Sequence, residues 1–316
     1  MPAETFSSLR RTFPASAPAS VRHRAQRAAL GVVRYRGVPA QTETFTLVDN
    51  PDVRLVNADS YVIERLYWFG EKYGYEPEVV RWWRNFCRRS HSILELGANI
   101  GYFTVQGALA APGARYVAVE PHPGCAAVCR ENVRVNGITN VEVVEAAAVA
   151  SRDVDSVALI TPGETSRDHY LAPCTGYVGR NEMHRDDPED GSWGSVTVAA
   201  APVPDLLAGV DLLKLDVEGQ EFTLLSSVSD QIAATRPTMF VELLDDTPKL
   251  RSFITDLCSS FGYRCFVPAV DRLRPLSTSE LPSVSLVRSF GTRDLILTCD
   301  VVSEWTELPT PHPNGR

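Results

Sequence analysis

The chain has 316 residues, 44% of them hydrophobic and 22% charged, with a formal net charge of −8. That balance suits a globular enzyme built as one large α/β domain or two modest ones, and argues against a nucleic-acid-binding surface over the main body. No run of eighteen or more apolar residues occurs, so no transmembrane segment is predicted, and the N-terminus lacks the apolar core of a secretory signal.

The charge is uneven along the chain. Residues 1–40 carry seven arginines against Glu4, a head of +6 on a remainder of −14, and read as a solvated, poorly ordered segment. Residues 41–90 form an aromatic cap: β-like runs with Phe45, Tyr61, Tyr67, Trp68, Phe69, Tyr73 and Tyr75, then a helix from Pro77 to about Phe86. Residues 91–300 read as the core. It alternates strand 92–97, helix 100–110, strand 115–120, helix 124–136 (stopped at Asn136-Gly137) and strand 141–146. A β-like run follows at Ser156 to Thr161.

Residues 162–194 then break the pattern with five glycines, His169, His184 and the acidic run Asp186 to Asp190, and are expected to be a lid-like insertion. Regular structure resumes with a strand at Ser195 to Ala201 and a buried one at Asp211 to Asp216, then a helix across Glu218 to Val228. Strand 238–243, helix 248–261 and strands at 263–267 and 294–298 complete the core, and 301–316 is a tail. This alternation implies a mainly parallel sheet with helices on both faces.

The richest stretch is Ser92-Ile-Leu-Glu-Leu-Gly-Ala-Asn-Ile-Gly-Tyr-Phe-Thr104, followed by Tyr116-Val-Ala-Val-Glu-Pro121. Strand, glycine turn, helix, strand and terminal acid is the order of a nucleotide-type cofactor pocket, in which the acid accepts ribose hydroxyls. A dinucleotide turn needs Gly-x-Gly-x-x-Gly, yet the second and third glycine positions here are Asn99 and Tyr102. A cofactor with ribose and adenine but no phosphates fits better, which points to S-adenosyl-L-methionine, with S-adenosyl-L-homocysteine as product. Gly97 is expected to clear space for its methionine portion. The cofactor set reads as Glu95, Gly97, Ala98, Asn99, Gly101, Tyr102, Phe103, Glu120, Pro121, Glu145 and Asp216. Glu120 is placed on the ribose and Glu145 near the adenine amino group.

Ligands of open α/β sheets sit beyond the carboxyl ends of the strands, where Asp216, Glu218 and Glu242 also fall. A hydroxyl acceptor needs its proton taken, and these three carboxylates or a lid histidine, His169 or His184, are the candidate bases. Lys214 reads as an ion-pair partner. The spacing demands no metal and none is assigned. The seven cysteines, an odd set without a Cys-x-x-Cys pair, suit free thiols in a reducing cytoplasm, and Cys125 and Cys129 read as small buried side chains.

Three segments taken together resemble the FkbM-type methyltransferases: Glu95 to Thr104, Leu213-Lys-Leu-Asp-Val-Glu-Gly-Gln-Glu221 and Phe240-Val-Glu-Leu243. Tyr75-Glu-Pro77, Asp211 and Arg293-Asp-Leu295 add smaller echoes, so the resemblance covers roughly residues 55–300. It implies a class I methyltransferase (Rossmann-like) fold, with a seven-stranded sheet in which six strands run parallel and the last is inserted antiparallel. It also implies S-adenosyl-L-methionine as donor and a hydroxyl-bearing small molecule as acceptor, on a sugar, glycolipid or secondary metabolite. The stretch 162–194 is longer than that family's usual connection. Two other readings stand beside this one: an NAD-dependent dehydrogenase, and a non-catalytic cofactor-binding module.

Overall fold

The computed structural model describes residues 38–58, 60–162, 177–178 and 193–300. The readings made of the basic head, of His169 and His184 and of the tail fall outside these residues, except at the head's last three. A hairpin comes first, β1 (Thr44–Leu47) with β2 (Asn50–Val56). It is fastened to the core by side chains of the later helix at 123–135 and its cap: Val56 N donates to Asn132 Oδ1 at 2.7 Å and Arg54 N to Asn136 Oδ1 at 2.9 Å.

The sequence pattern did not separate the next element from the β-like runs. It is helix α1 (Tyr61–Tyr73), started by Ser60, whose side chain accepts from Ile63 N. The helix breaks at Gly70, where φ is +64°, and Asp49 takes the two amides freed beyond the break, Glu71 N and Lys72 N. Helix α2 (Pro77–Cys87) follows, with proline in its first turn and Val79, Val80, Trp82, Trp83, Phe86 and Cys87 buried along one stripe. That stripe lies on the sheet. Trp83 meets Phe240 edge-on at 5.2 Å and Tyr116 at 6.4 Å, and its indole N–H donates to Phe103 O. Edge-on pairs of this kind add about 0.5–1.5 kcal/mol each beyond burial.

The core continues with β3 (Ser92–Leu96), α3 (Tyr102–Ala110), β4 (Arg115–Val119), α4 (Pro123–Val135), β5 (Val141–Val144), β6 (Ala147–Val149), β7 (Ser156–Pro162), β8 (Tyr177–Val178) and β9 (Trp193–Pro202). Then come α5 (Val203–Leu206), β10 (Leu212–Leu215), α6 (Glu221–Ser227), α7 (Ser229–Thr235), β11 (Thr238–Glu242), α8 (Pro248–Phe261), β12 (Arg264–Pro268), β13 (Leu273–Leu276), α9 (Leu286–Ser289) and β14 (Asp294–Thr298).

Eight strands make the main sheet, in the order β13-β12-β14-β11-β10-β3-β4-β5. β5, β4, β3, β10 and β11 pair in parallel, and β14 runs antiparallel to both β11 and β12. The expected sheet of six parallel strands with one inserted antiparallel is therefore present, and β13 is an added edge strand, antiparallel to β12. Alternate residues feed two cores. Ile93, Tyr116, Leu212, Phe240 and Ile296 join one, under α2 and α3, while Leu94, Val117, Leu213, Met239 and Leu295 join the other. A strand covered on both faces reads as a nearly continuous apolar run, as Met239 to Val241 of β11 do, with Lys214 the one charged interruption in β10.

A second sheet, in the order β6-β9-β7-β8, stands beside the first, with β9 antiparallel to β7 and parallel to β6. The segment read from the sequence as a lid-like insertion lies largely outside the described residues; of it, β8 pairs antiparallel with β7. Among the described residues no helix is long and apolar enough to cross a membrane. Cysteine usage corrects one expectation. Cys87, Cys129, Cys258, Cys265 and Cys299 are free, but Cys125 is disulfide-bonded. Pairing is decided by approach in space, which sequence spacing does not report, and the cysteines no longer argue for a reducing compartment.

Candidate active site

The carboxyl ends of β3, β4, β10 and β11 open into one cavity of ≈ 510 Å³. At its centre β3 ends in the turn Gly97-Ala98-Asn99-Ile100. Gly97 has φ +84°, and a Cβ there would lie 1.8 Å from the Asp216 carbonyl oxygen. The glycine is thus required by the approach of the β10 end, a different cause from the ligand clearance expected of it. Asn99 is also left-handed, at φ +53°.

The amides of this turn are already engaged. Gly97 N and Ala98 N donate to Val119 O, Asn99 N donates to Glu120 Oε2 at 2.7 Å, Ile100 N to Asn99 Oδ1 at 2.7 Å, and Gly101 N to Ala98 O. A phosphate cradle needs converging backbone amides without intramolecular partners, and this turn offers none. Its geometry is instead devoted to Glu120. That carboxylate ends β4, is 4% exposed, and takes His122 N on its other oxygen at 2.8 Å. Burial pushes its pKa up to about 7, against the pull of the two backbone bonds.

Glu95 lies beneath the turn, accepting from Tyr116 Oη at 2.5 Å and Thr104 Oγ1 at 2.8 Å, with its carboxyl raised by burial. Lys214, on β10, is 1% exposed, with its ammonium 2.9 Å from Asp216 Oδ2 and 4.7 Å from the centre of the Phe103 ring. Burial would lower this lysine's pKa, but Asp216, Asp294, Glu95 and Glu76 more than reverse the effect, so it stays charged. The ion pair expected of Lys214 is present.

Beyond β10 the strand-to-helix loop turns sharply. Glu218 (φ +52°) and Gly219 (φ +93°) are consecutive left-handed residues, and the buried Glu221 holds the loop by accepting from Val217 N and Gly219 N. Gln220 Nε2 donates to Val178 O, tying the loop to β8. Burial, then the Asp216 charge, pushes Glu218 up to about 7. Glu242 ends β11 at 5% exposure. One oxygen lies 3.4 Å from Arg293 Nη1, while Oε2 is sealed from solvent without a partner. Burial, reinforced by Asp216 and Glu218, holds this acid well above the usual carboxylate range.

Of the residues read from the sequence, Glu95, Gly97, Ala98, Asn99, Tyr102, Phe103, Glu120, Pro121, Asp216, Glu218 and Glu242 all line this cavity. Gly101 does not, and instead packs against Cys129 on α4, where a Cβ would lie 2.6 Å from its Sγ. Glu145 is not among the lining residues either. Its carboxylate pairs with Arg130 at 2.7 Å, while Ala147, Ala148 and Leu159 are among the residues that do line the cavity. His169 falls outside the described residues. Among the described residues no group of three or more His, Cys, Asp or Glu is arranged to hold a metal ion.

Sequence reasoning passed over Tyr75, Glu76, His122 and Arg293, which also line the cavity, and Asp294, whose buried carboxyl abuts Lys214 and Asp216 electrostatically. Two of the family echoes, Tyr75-Glu-Pro77 and Arg293-Asp-Leu295, contain four of these five. Their local signal was only a proline-led helix and a strand start, since the residues come from opposite ends of the chain.

The family model for the methyltransferase FkbM domain matches residues 95–265. No curated protein matches the chain. Among solved structures, the chain is similar to the methyltransferase FkbM from Methylobacillus flagellatus KT, at 14% identity and a TM-score of 0.40, over 66% of this chain and 43% of that one. An O-methyltransferase from Bacillus cereus in complex with SAH aligns at 13% identity over 70% of this chain and 80% of its own, with a TM-score of 0.38. The O-methyltransferase TomG from Streptomyces achromogenes, involved in tomaymycin synthesis, aligns at 15% identity over 70% and 79%, with a TM-score of 0.37.

Proposed function

The chain belongs to the FkbM family of S-adenosylmethionine-dependent methyltransferases, and we propose that it methylates a hydroxyl oxygen of a small acceptor such as a sugar, glycolipid or secondary metabolite. The observation that carries the reading is the Glu120 turn: a sealed carboxylate at a cavity where the backbone amides of residues 97–101 all have partners within the chain. That arrangement suits a ribose without a pyrophosphate, which favours S-adenosylmethionine over a nicotinamide dinucleotide. Glu120 would hold the ribose hydroxyls, the Ala147, Ala148 and Leu159 wall the adenine, and Gly97, Asn99 and Asp216 the methionine end.

When bound, S-adenosylmethionine supplies an electrophilic methyl group on a sulfonium whose leaving group is a neutral thioether. The chain's own task is then to align the acceptor oxygen and to take its proton, since positioning removes several kcal/mol of barrier and a neutral alcohol is a poor nucleophile. Glu218 is the group we assign to the proton. It lines the cavity, its left-handed backbone fixes where its side chain leaves the chain, and its pKa near 7 matches a general base. Asp216 is held to Lys214. Glu242 already has one oxygen 3.4 Å from Arg293 Nη1, which suits it to orient the acceptor rather than to take its proton.

The test is direct. Purified protein incubated with methyl-deuterated S-adenosylmethionine and an extract of its producing cells should yield a small molecule heavier by one labelled methyl, which fragmentation and NMR place on oxygen as a methyl ether. Labelled product bearing the group on nitrogen or carbon would remove the O-methyl assignment, and absence of S-adenosylhomocysteine formation would remove the activity.

A further inference from the structure

Away from the cavity, the end of α8 and the strand that follows it bring two thiols together. Cys258 lies in the last turns of α8, and Cys265 lies near the start of β12. Between them the chain reverses at Gly262, a left-handed residue at φ +77° that ends the helix. The two sulfurs are thereby left 3.3 Å apart, against about 2.05 Å in a formed disulfide. Neither cysteine lines the cavity, so the pair stands apart from the methyltransferase reading.

The two thiols are unequal. Cys265 is 3% exposed and belongs to the core of Leu257, Tyr263 and Leu297, whereas Cys258 is partly exposed at the edge of that core. The hydrogen bond between them holds the Cys258 thiol below its ordinary pKa and, with burial, pushes that of Cys265 up. Burial comes first in raising Cys87, Cys129 and Cys299, so among the free cysteines of the described residues Cys258 is the one whose thiolate is favoured. The thiolate is the form that attacks an oxidant, and a second thiol in contact with it can resolve the product. Cys299 is the third thiol of this region, but its S–H is directed to Phe261 O at 3.6 Å.

We propose that Cys258 and Cys265 are an oxidation site for hydrogen peroxide, which they reduce as they close into a reversible disulfide. The Cys258 thiolate attacks one peroxide oxygen, the O–O bond breaks, and hydroxide leaves and takes up the proton that Cys258 released. Cys258 is then a sulfenic acid. The Cys265 sulfur attacks it, an S–S bond forms as the S–O bond breaks, and the departing hydroxide takes the Cys265 proton as a second water. Two thiols are oxidised and one peroxide is reduced to two waters. The new bond fastens the end of α8 to β12.

The experiment treats the full chain with hydrogen peroxide in small molar excess, blocks the remaining thiols with N-ethylmaleimide, and digests it without reduction. Trypsin cuts at Arg264, between the two cysteines, so the disulfide holds peptides 252–264 and 265–272 together. The expected product is this linked pair, lighter than the sum of the two peptides by two hydrogens and separated by dithiothreitol. It should form before Cys87, Cys129 or Cys299 is modified. In Cys265→Ser, Cys258 should stop at the sulfenic acid, which dimedone traps; in Cys258→Ser, the Cys265 thiol should stay unmodified at the same dose. Circular dichroism reports whether the variants fold, and the wild-type digest decides alone if either does not. A link from Cys258 to Cys299, a sulfinic acid on Cys258 without the linked pair, or both peptides recovered as maleimide adducts after Cys87 has been modified overturns the site. Oxidation of Cys265 at an undiminished rate in a folded Cys258→Ser chain overturns it as well.

Discussion

Glu120 and Glu218 are both carboxylates with pKa values near 7, yet their surroundings give them different work. Glu120 is fixed by Asn99 N and His122 N, so its remaining lone pairs face the cavity in one orientation. Replacing Glu120 by alanine should weaken S-adenosylhomocysteine binding by about 1.5–3 kcal/mol, the range for hydrogen bonds to a charged group. Calorimetry reads this directly, and unchanged affinity would take Glu120 out of the ribose site. Glu218 is raised by burial and by Asp216 and lines the cavity on the far side of Gly97, which suits a group that must gain and lose a proton. Its amide variant, Glu218→Gln, should lower turnover by about 10²–10⁴-fold while S-adenosylhomocysteine affinity stays within a few fold. In the wild-type chain turnover should rise with pH through about 7 as this acid ionises, and Glu218→Gln should lose that limb. A variant with near-normal turnover and an unchanged profile would move the base elsewhere, with Asp216 next in line.

The element that matters most to the site is the junction of two strand ends. β3 and β10 are adjacent and parallel, and the turn leaving β3 passes so close to the end of β10 that only a hydrogen fits on Gly97. Gly97→Val puts a branched carbon against the Asp216 carbonyl and a non-glycine residue at φ +84°. The backbone conformation alone costs about 1–3 kcal/mol, and the overlap adds to it. The expected outcome is a lowered melting temperature together with lost S-adenosylhomocysteine binding, because the same shift displaces Asp216 and the loop bearing Glu218. A valine variant with the wild-type midpoint and affinity would contradict the close approach of the two strand ends. On the other side of the sheet α2 has a comparable role at longer range. Its stripe of Trp82, Trp83 and Phe86 anchors it to the core, and its first turn thereby brings Tyr75 and Glu76 to the cavity rim.

Over the whole molecule, the carboxyl ends of the strands gather more buried acid than base, and this couples stability to pH. Glu120, Glu218 and Glu221 are raised to about 7 and Asp294 to about 6, in each case chiefly by burial. Acids raised in the folded state hold protons that the unfolded chain has already lost. Their stabilising contribution is complete below the unfolded carboxylate range and disappears as pH climbs through the folded values. The melting temperature should therefore fall between about pH 5 and about pH 8. Glu131 and Asp271 shift the opposite way through Arg134 and Arg272, but both lie at the surface, where such pairs contribute little. A midpoint that rose over this interval would show that the acid cluster does not dominate the balance. Neutralising one member, as in Asp294→Asn, should flatten the fall.

Local pattern alone carried a large share of this architecture. The apolar runs at 92–97, 115–120 and 238–243 and the helix at 248–261 were legible because each strand is covered on both faces and each helix has its own start and stop residues. The order of glycine turn, helix, strand and acid also located Gly97, Asn99 and Glu120 on one cavity, since two adjacent parallel strands must bring their carboxyl ends together. Long-range packing decided the rest. Helix α1 was hidden among aromatics that read as β-like, because its start depends on one serine and its break is held by Asp49, outside the helix. Edge strand β13 and short β6 have too few residues for any period to register. Glu145 ends a strand as Glu120 does, but an arginine one helix away claims it. Glu76 and Asp294 are more than 200 positions apart in the chain and influence each other's charge in the fold. Sequence specifies the groups that carry charge and the elements that bear them; which acids lie close enough to share a proton or a cation depends on distances that only folding sets.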